Sequence, residues 1–228
     1  MNKKHTTGLL LFTLLLTFIG VVVIGGDGMV ERASATAVAS VDAGVESETT
    51  TEELSEVAES EQHMIQDVLQ NPRRVKPLPP EKLDSETLWL ARVIYSETKR
   101  PEEMELVAWV VRNRVETGYR GKSSYQSAVL DPYQFSAFNP GGRKRAHYSS
   151  LTHDSKARGF ASAVSIAYSV RHADSNYRPF SINTRHFYSE QSMVGVRHPA
   201  WANGGRKVTP QRPFDVEERR FRFFENVS

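Results

Sequence analysis

The chain has 228 residues and a formal net charge of +2, with 29 Lys/Arg against 27 Asp/Glu, and it contains no cysteine. That excludes disulfides, a thiol nucleophile, a thiolate metal site and a lipid-modified N-terminal cysteine. No P-loop, dinucleotide fingerprint, GxSxG elbow or HExxH motif occurs, so the usual nucleotide, triad and zinc-helix readings have no starting point, and no cofactor is expected.

Residues 1–26 read as a signal peptide or an N-terminal membrane anchor. Lys3 and Lys4 precede Leu9 to Ile24, an apolar run broken only by Thr13, Thr17 and Gly20. Cleavage is possible at Ala33-Ser34-Ala35 or Ala35-Thr36-Ala37, but these sites lie well beyond Ile24. Gly8 to Gly26 approaches the roughly 20 residues that span a bilayer, which favours a retained anchor with the two lysines on the cytoplasmic side. Either version exports the remainder, to the periplasm or to the cell-wall side of the membrane.

Residues 27–83 read as a tether. Asp27 to Gln70 holds eleven acidic residues against the single base Arg32 and has no aromatic residue, a disordered composition. Leu54, Val57, Ile65, Val68 and Leu69 are roughly helically spaced, which is compatible with a transient or partner-induced helix. Asn71 to Pro80 carries four prolines and should be extended and semi-rigid.

Residues 84–228 read as the folded domain. They hold 22 Lys/Arg and 15 Asp/Glu, so the near-neutral chain conceals a domain of about +7 behind an acidic tether. Asp84 or Ser85 caps a first helix bearing Leu88, Trp89, Val93, Ile94 and Tyr95. Pro101 opens a second, with Glu102 and Glu103 at its start facing solvent, Met104, Val107, Ala108, Val111 and Val115 on its apolar face, and Gly118 past its end. Gly118 to Asp154 is a long irregular segment of the kind that often binds ligands, with a basic loop tip at Gly141 to Arg145. A third helix is expected from Lys156 to Arg171, then short extended pieces at Thr184 to Tyr188 and Arg219 to Phe224. The fold class is α+β: mostly helical with a small antiparallel sheet.

Glu97 is the residue that stands out. It ends the apolar helix of Leu88 to Tyr95, where a carboxyl group is poorly solvated and its neutral form is favoured. A carboxyl kept protonated near pH 7 is what a general acid requires.

The residues around it carry a resemblance. Tyr95-Ser96-Glu97-Thr98, the Val107 to Val115 helix ending in Asn113-Arg114-Val115, and Gln134-Phe135-Ser136 occur in that order. Thr184-Arg185-His186-Phe187-Tyr188 and Pro199-Ala200-Trp201 follow. This series resembles the spore cortex-lytic or cell wall hydrolase family across about Leu88 to Phe224. There are departures: Ser96 and Thr98 stand where that family has Gly and Ala, and Lys99-Arg100-Pro101 stands where it often has Arg-Gly-Glu. The resemblance implies a lysozyme-like catalytic domain that cleaves the peptidoglycan glycan backbone with Glu97 as catalytic acid. It also implies a groove lined by Tyr95, Gln134, Phe135, Ser136, His186, Tyr188 and Trp201, with peptidoglycan as partner, no metal and no nucleic acid. Asn113 and Arg114 read as structural residues at the end of their helix.

Glycosidic cleavage ordinarily employs two carboxylates, and no second one is evident. An N-acetylated sugar can supply its own acetamido group, after which attack by its 6-hydroxyl gives a lytic transglycosylase and attack by water a muramidase; the two remain open. Two rivals stand beside this reading. One is a zinc amidase or endopeptidase using His147, His153, His172, His186 or His198, none of which forms an i, i+4 pair. The other is a non-catalytic wall- or polyanion-binding module using the basic surface.

Overall fold

The computed structural model describes residues 45–193, 198–214 and 216–227. The expected signal or anchor at 1–26 lies outside them; among the described residues no helix is long and apolar enough to cross a membrane.

The core is built around a break between two helices. Helix α2, Ser85–Glu97, starts where the Asp84 carboxylate accepts the Thr87 N–H at 2.7 Å. It stops because Thr98 turns extended (φ −152°, ψ 164°), and Arg100 is extended ahead of Pro101, the first residue of α3, Pro101–Glu116. A residue before proline avoids helical dihedrals, and proline itself fits a first helical turn. Glu97 is therefore the last residue of one helix, three positions ahead of a compulsory bend. Helix α3 is buried on nearly every side through Leu106, Val107, Ala108, Trp109, Val110 and Val111, which makes it the central helix. Helices α4, Tyr125–Val129, and α5, Arg143–Ser149, interrupt the segment expected to be irregular. Helix α6, Phe160–His172, packs Phe160, Ala163, Ile166 and Val170 into the core against α2 and α3.

Three antiparallel strands complete the fold in the order β1-β3-β2: β1, Thr184–Tyr188; β2, Arg206–Val208; and β3, Arg222–Glu225. The α+β class is thus observed. The pairing shifts between Thr184↔Glu225 and His186↔Phe224, so Arg185 is an extra residue on β1. Such a bulge re-aims the side chains beside it. Its carbonyl accepts the Arg114 Nε–H at 2.6 Å, while Asn113 Nδ2 donates to the carbonyls of Ser181 at 3.1 Å and Thr184 at 2.8 Å. The end of α3 is the peg on which β1 hangs, which bears out the structural reading of Asn113.

Two expectations are corrected. The expected tether of 27–83 is described from residue 45 on, and that described part does not stay apart from the domain. Val45–Gln70 forms helix α1, whose C-terminal half buries Ile65, Val68 and Leu69 in the core, followed by Leu78. Apolar burial on α6, a Tyr168 hydroxyl donating to Glu61 and Arg212 Nη1 donating to the Leu69 carbonyl at 2.8 Å offset the acidic composition. Glu102 and Glu103 do not face solvent either. Glu102 pairs with Arg73, and Glu103 is fully buried, accepting the Thr98 hydroxyl at 2.5 Å and Arg220 at 2.5 and 3.1 Å.

Candidate active site

Where α2 ends, the last turn of α3, the 133–139 segment and strand β1 enclose a cavity of about 720 Å³. Glu97 supplies the only carboxylate among its described lining residues, which include three arginines, Arg114, Arg120 and Arg220. Glu97 is partly reachable from the cavity yet surrounded by protein, and among the described residues no group donates a hydrogen bond to it. Burial pushes its carboxyl up to about 7, against the opposing pull of Arg114, Lys144 and Lys99. Desolvation outweighs three cations because none of them touches the carboxylate.

The neighbouring groups fix the surroundings. Thr98, the next residue, is tied to buried Glu103, so the backbone that carries Glu97 is anchored from below. Lys99 lies 3.3 Å from the Tyr95 ring centroid and donates to the Tyr95 carbonyl, holding a cation near Glu97. Arg114 is buried, with Nε on the β1 bulge and its guanidinium 4.9 Å from the Phe135 ring; Nη1 has no partner among the described residues. His186 is held on Tyr119, whose hydroxyl lies 2.9 Å from Nε2, and its ring is 5.1 Å from that of Trp201. Burial, with Arg114 and Arg185 nearby, pushes His186 down to about 4, so it is neutral at pH 7 and acts there as a hydrogen-bonding group rather than a proton donor.

No family model, curated protein or solved structure matches this chain. The site therefore stands on its geometry.

The structure brings Glu97, Gln134, Ser136, His186, Tyr188 and Trp201 together around the one cavity, although they span more than a hundred residues of sequence. Tyr95 and Phe135 are corrected. The Tyr95 ring packs on Phe160 and Tyr148, and its hydroxyl donates to the Arg158 carbonyl at 3.1 Å, away from the cavity. Phe135 is 2% exposed and belongs to the core, because the turn at 131–134 sends Gln134 and Ser136 to the cavity and the ring between them inward. The basic tip at 141–145 is not a loop throughout: Arg143 begins α5, which rests on α2 and places Lys144 close enough to act on Glu97.

Sequence reasoning missed Tyr119, Tyr133 and Arg220 and gave Arg114 only its structural half. Arg114 was the one with a readable signal, an arginine on the apolar side of a helix end. The histidines of the zinc reading are scattered. His186 is engaged by Tyr119, His172 stacks on Tyr168 and His153 reaches the Leu78 carbonyl at 3.2 Å. Among the described residues no three His, Asp or Glu side chains gather as a metal site.

Proposed function

We propose that this is an exported, lysozyme-like enzyme that cleaves the glycan backbone of peptidoglycan, with Glu97 as both acid and base. The observation that carries the reading is the isolation of Glu97: a single carboxyl, raised to about 7 by burial, in a polar cavity without a second carboxylate among its described lining.

A carboxyl with that pKa is present in both forms near neutrality. Protonated, Glu97 delivers its proton to the leaving glycosidic oxygen. The N-acetyl oxygen of the muramoyl sugar closes on its own anomeric carbon as the C–O bond breaks, so no protein nucleophile is needed. The resulting carboxylate, now beside Arg114, accepts a proton from the group that reopens the ring. If that group is the sugar's own 6-hydroxyl the product is a 1,6-anhydro end, as in a lytic transglycosylase. If it is water, the product is a reducing end, as in a muramidase. Neutral His186, with Nε2 on the Tyr119 hydroxyl, orients that hydroxyl to offer an uncharged hydrogen bond to the acetamido group, and Trp201 offers an aromatic face to a sugar ring.

Mass spectrometry of purified wall digested by the full chain tests this. Anhydro-muropeptides establish transglycosylation, and reducing muramic ends establish hydrolysis. Release of free peptide with intact glycan would instead favour the amidase reading, and saturable wall binding with no product the binding-module reading. Digestion by Glu97→Gln at the wild-type rate would sink the site assignment, because an amide has no such proton to give.

A further inference from the structure

Asp131 to Gln134 form a tight turn closed by the Gln134 N–H on the Asp131 carbonyl at 3.2 Å. Pro132 occupies its second position, and the third, Tyr133, has φ +64°. Proline followed by a left-handed residue is the pattern of a type II turn, whose third position is ordinarily glycine. A tyrosine there carries a Cβ in a region that side chains disfavour.

That unfavourable position is held from both sides. The Tyr133 N–H donates to Asn139 Oδ1 at 3.1 Å, and Asp131 accepts Arg120 Nε at 2.6 Å. Arg120 is itself a non-glycine residue at φ +55°. Two of the three non-glycine residues with positive φ among the described ones therefore sit on one wall of the Glu97 cavity, linked through Asp131. Backbone strain of this kind persists where the surroundings over-determine it, and it clusters at binding sites.

Folding gains nothing evident from the side chain. Tyr133 is 81% exposed, the most exposed of the large apolar residues described, and neither its ring nor its hydroxyl has a partner among the described residues. The turn thus presents a bare aromatic ring at the mouth of the cavity. Tyrosine offers a rigid, amphipathic face at low conformational-entropy cost, and the C–H face of a pyranose is the complementary surface on a glycan.

The geometry points to Tyr133 as a sugar-stacking platform that holds a ring of the glycan strand outside the cleaved linkage. A ring seated on so exposed a side chain lies at the mouth, whereas Glu97 is poorly solvated within, so the stacked ring is not the one whose bond breaks. This rests on reading the cavity as a glycan site.

The test uses peptide-free glycan strands of alternating N-acetylglucosamine and N-acetylmuramic acid. Their binding is measured by titration calorimetry on the full chain carrying Glu97→Gln, so that strands stay intact. Adding Tyr133→Gly or Tyr133→Ala should each weaken binding roughly tenfold, and Tyr133→Phe should leave it within about twofold. Thermal unfolding separates this from a structural role: Tyr133→Gly should melt no lower than its parent and above Tyr133→Ala, because glycine accepts the turn's φ. Unchanged affinity in Tyr133→Gly, no saturable binding by the parent, or a Tyr133→Gly melting point well below the parent would each overturn the proposal. Strands that bind through Tyr133 but are never cut by the wild type would refute the catalytic reading alone. Strands cut normally by Tyr133→Gly with undiminished affinity would refute the platform alone.

Discussion

Glu97 and Glu105 lie eight residues apart on consecutive helices, and burial raises both carboxyls, yet their surroundings make them opposite kinds of group. Glu105 has no accessible surface; it pairs with Arg212 and accepts the Trp109 indole N–H at 3.3 Å. Through Arg212, which also holds the Leu69 carbonyl, it fastens the end of α1 to the core. Glu97 has no hydrogen-bond partner among the described residues and opens on a cavity. A perturbed carboxyl is thus a poor marker of function by itself; what separates these two is whether the group is accessible and whether a partner already engages it.

The largest effect expected from breaking this contrast is on turnover. Removing a general acid costs typically about 10²–10⁴-fold in rate. Glu97→Gln should therefore lose wall-digesting activity on about that scale, measured as the clearing of purified wall suspensions, while Glu105→Gln keeps activity within a few-fold once folded. Comparable losses in the two variants would mean that the contrast misassigns the acid.

Stability should respond in the opposite sense. Arg212→Ala strands a buried carboxylate and frees the Leu69 carbonyl, and breaking such a pair costs about 3–5 kcal/mol. Urea unfolding should show that loss. Much of it should return in the Arg212→Ala/Glu105→Gln double variant, where no charge is left unpaired. A cost below about 1 kcal/mol for Arg212→Ala would show that α1 is not fastened there.

The two regions were also unequally legible in the sequence. The α2–α3 break can be read directly, because Pro101 opens a new helix and Glu97 closes the apolar run just ahead of it. Strand β1 was expected at Thr184 to Tyr188 and is found with those bounds. The attachment of α1 was not. Its apolar spacing through Ile65, Val68 and Leu69 is visible, but the excess of acids argues for solvation. The residues that reverse the balance, Tyr168 and Arg212, lie about a hundred and more positions away. Glu103 deceived for the same reason: helix-start glutamates face solvent unless an arginine such as Arg220, 117 residues on, comes back to meet them. Within the site, Gln134 and Ser136 could be placed by motif order, whereas Phe135 between them needed the turn to show that it points inward. Tyr133 left no sequence signal beyond its proline, since a side chain's backbone φ is not written in its type.

The smallest effect is the pH dependence of stability, to which Glu105, also raised to about 7, contributes in the same direction, so Glu97's share must be read by substitution. Its carboxyl titrates at about 7 in the folded protein and near 4.5 when unfolded, so between those values the native state binds more protons. Stability must then fall as pH rises through that window, because the slope follows the protons held by the unfolded state minus those held by the native state. The full penalty, about 3 kcal/mol above pH 7, is the cost of ionising a carboxyl that burial leaves poorly solvated at the cavity wall. Glu97→Gln removes the titration. The variant should match the wild type below about pH 4.5, gain on it progressively to pH 7, and hold a constant advantage at about pH 8, as read from urea midpoints at each pH. An advantage already complete at about pH 4 would trace to packing of the amide, and no advantage at about pH 8 would mean that the carboxylate is better solvated than its cavity suggests. The proton that makes Glu97 useful is the one the fold retains by leaving this carboxyl without a donor, so a variant that supplied one should stabilise the domain above neutrality while weakening the acid.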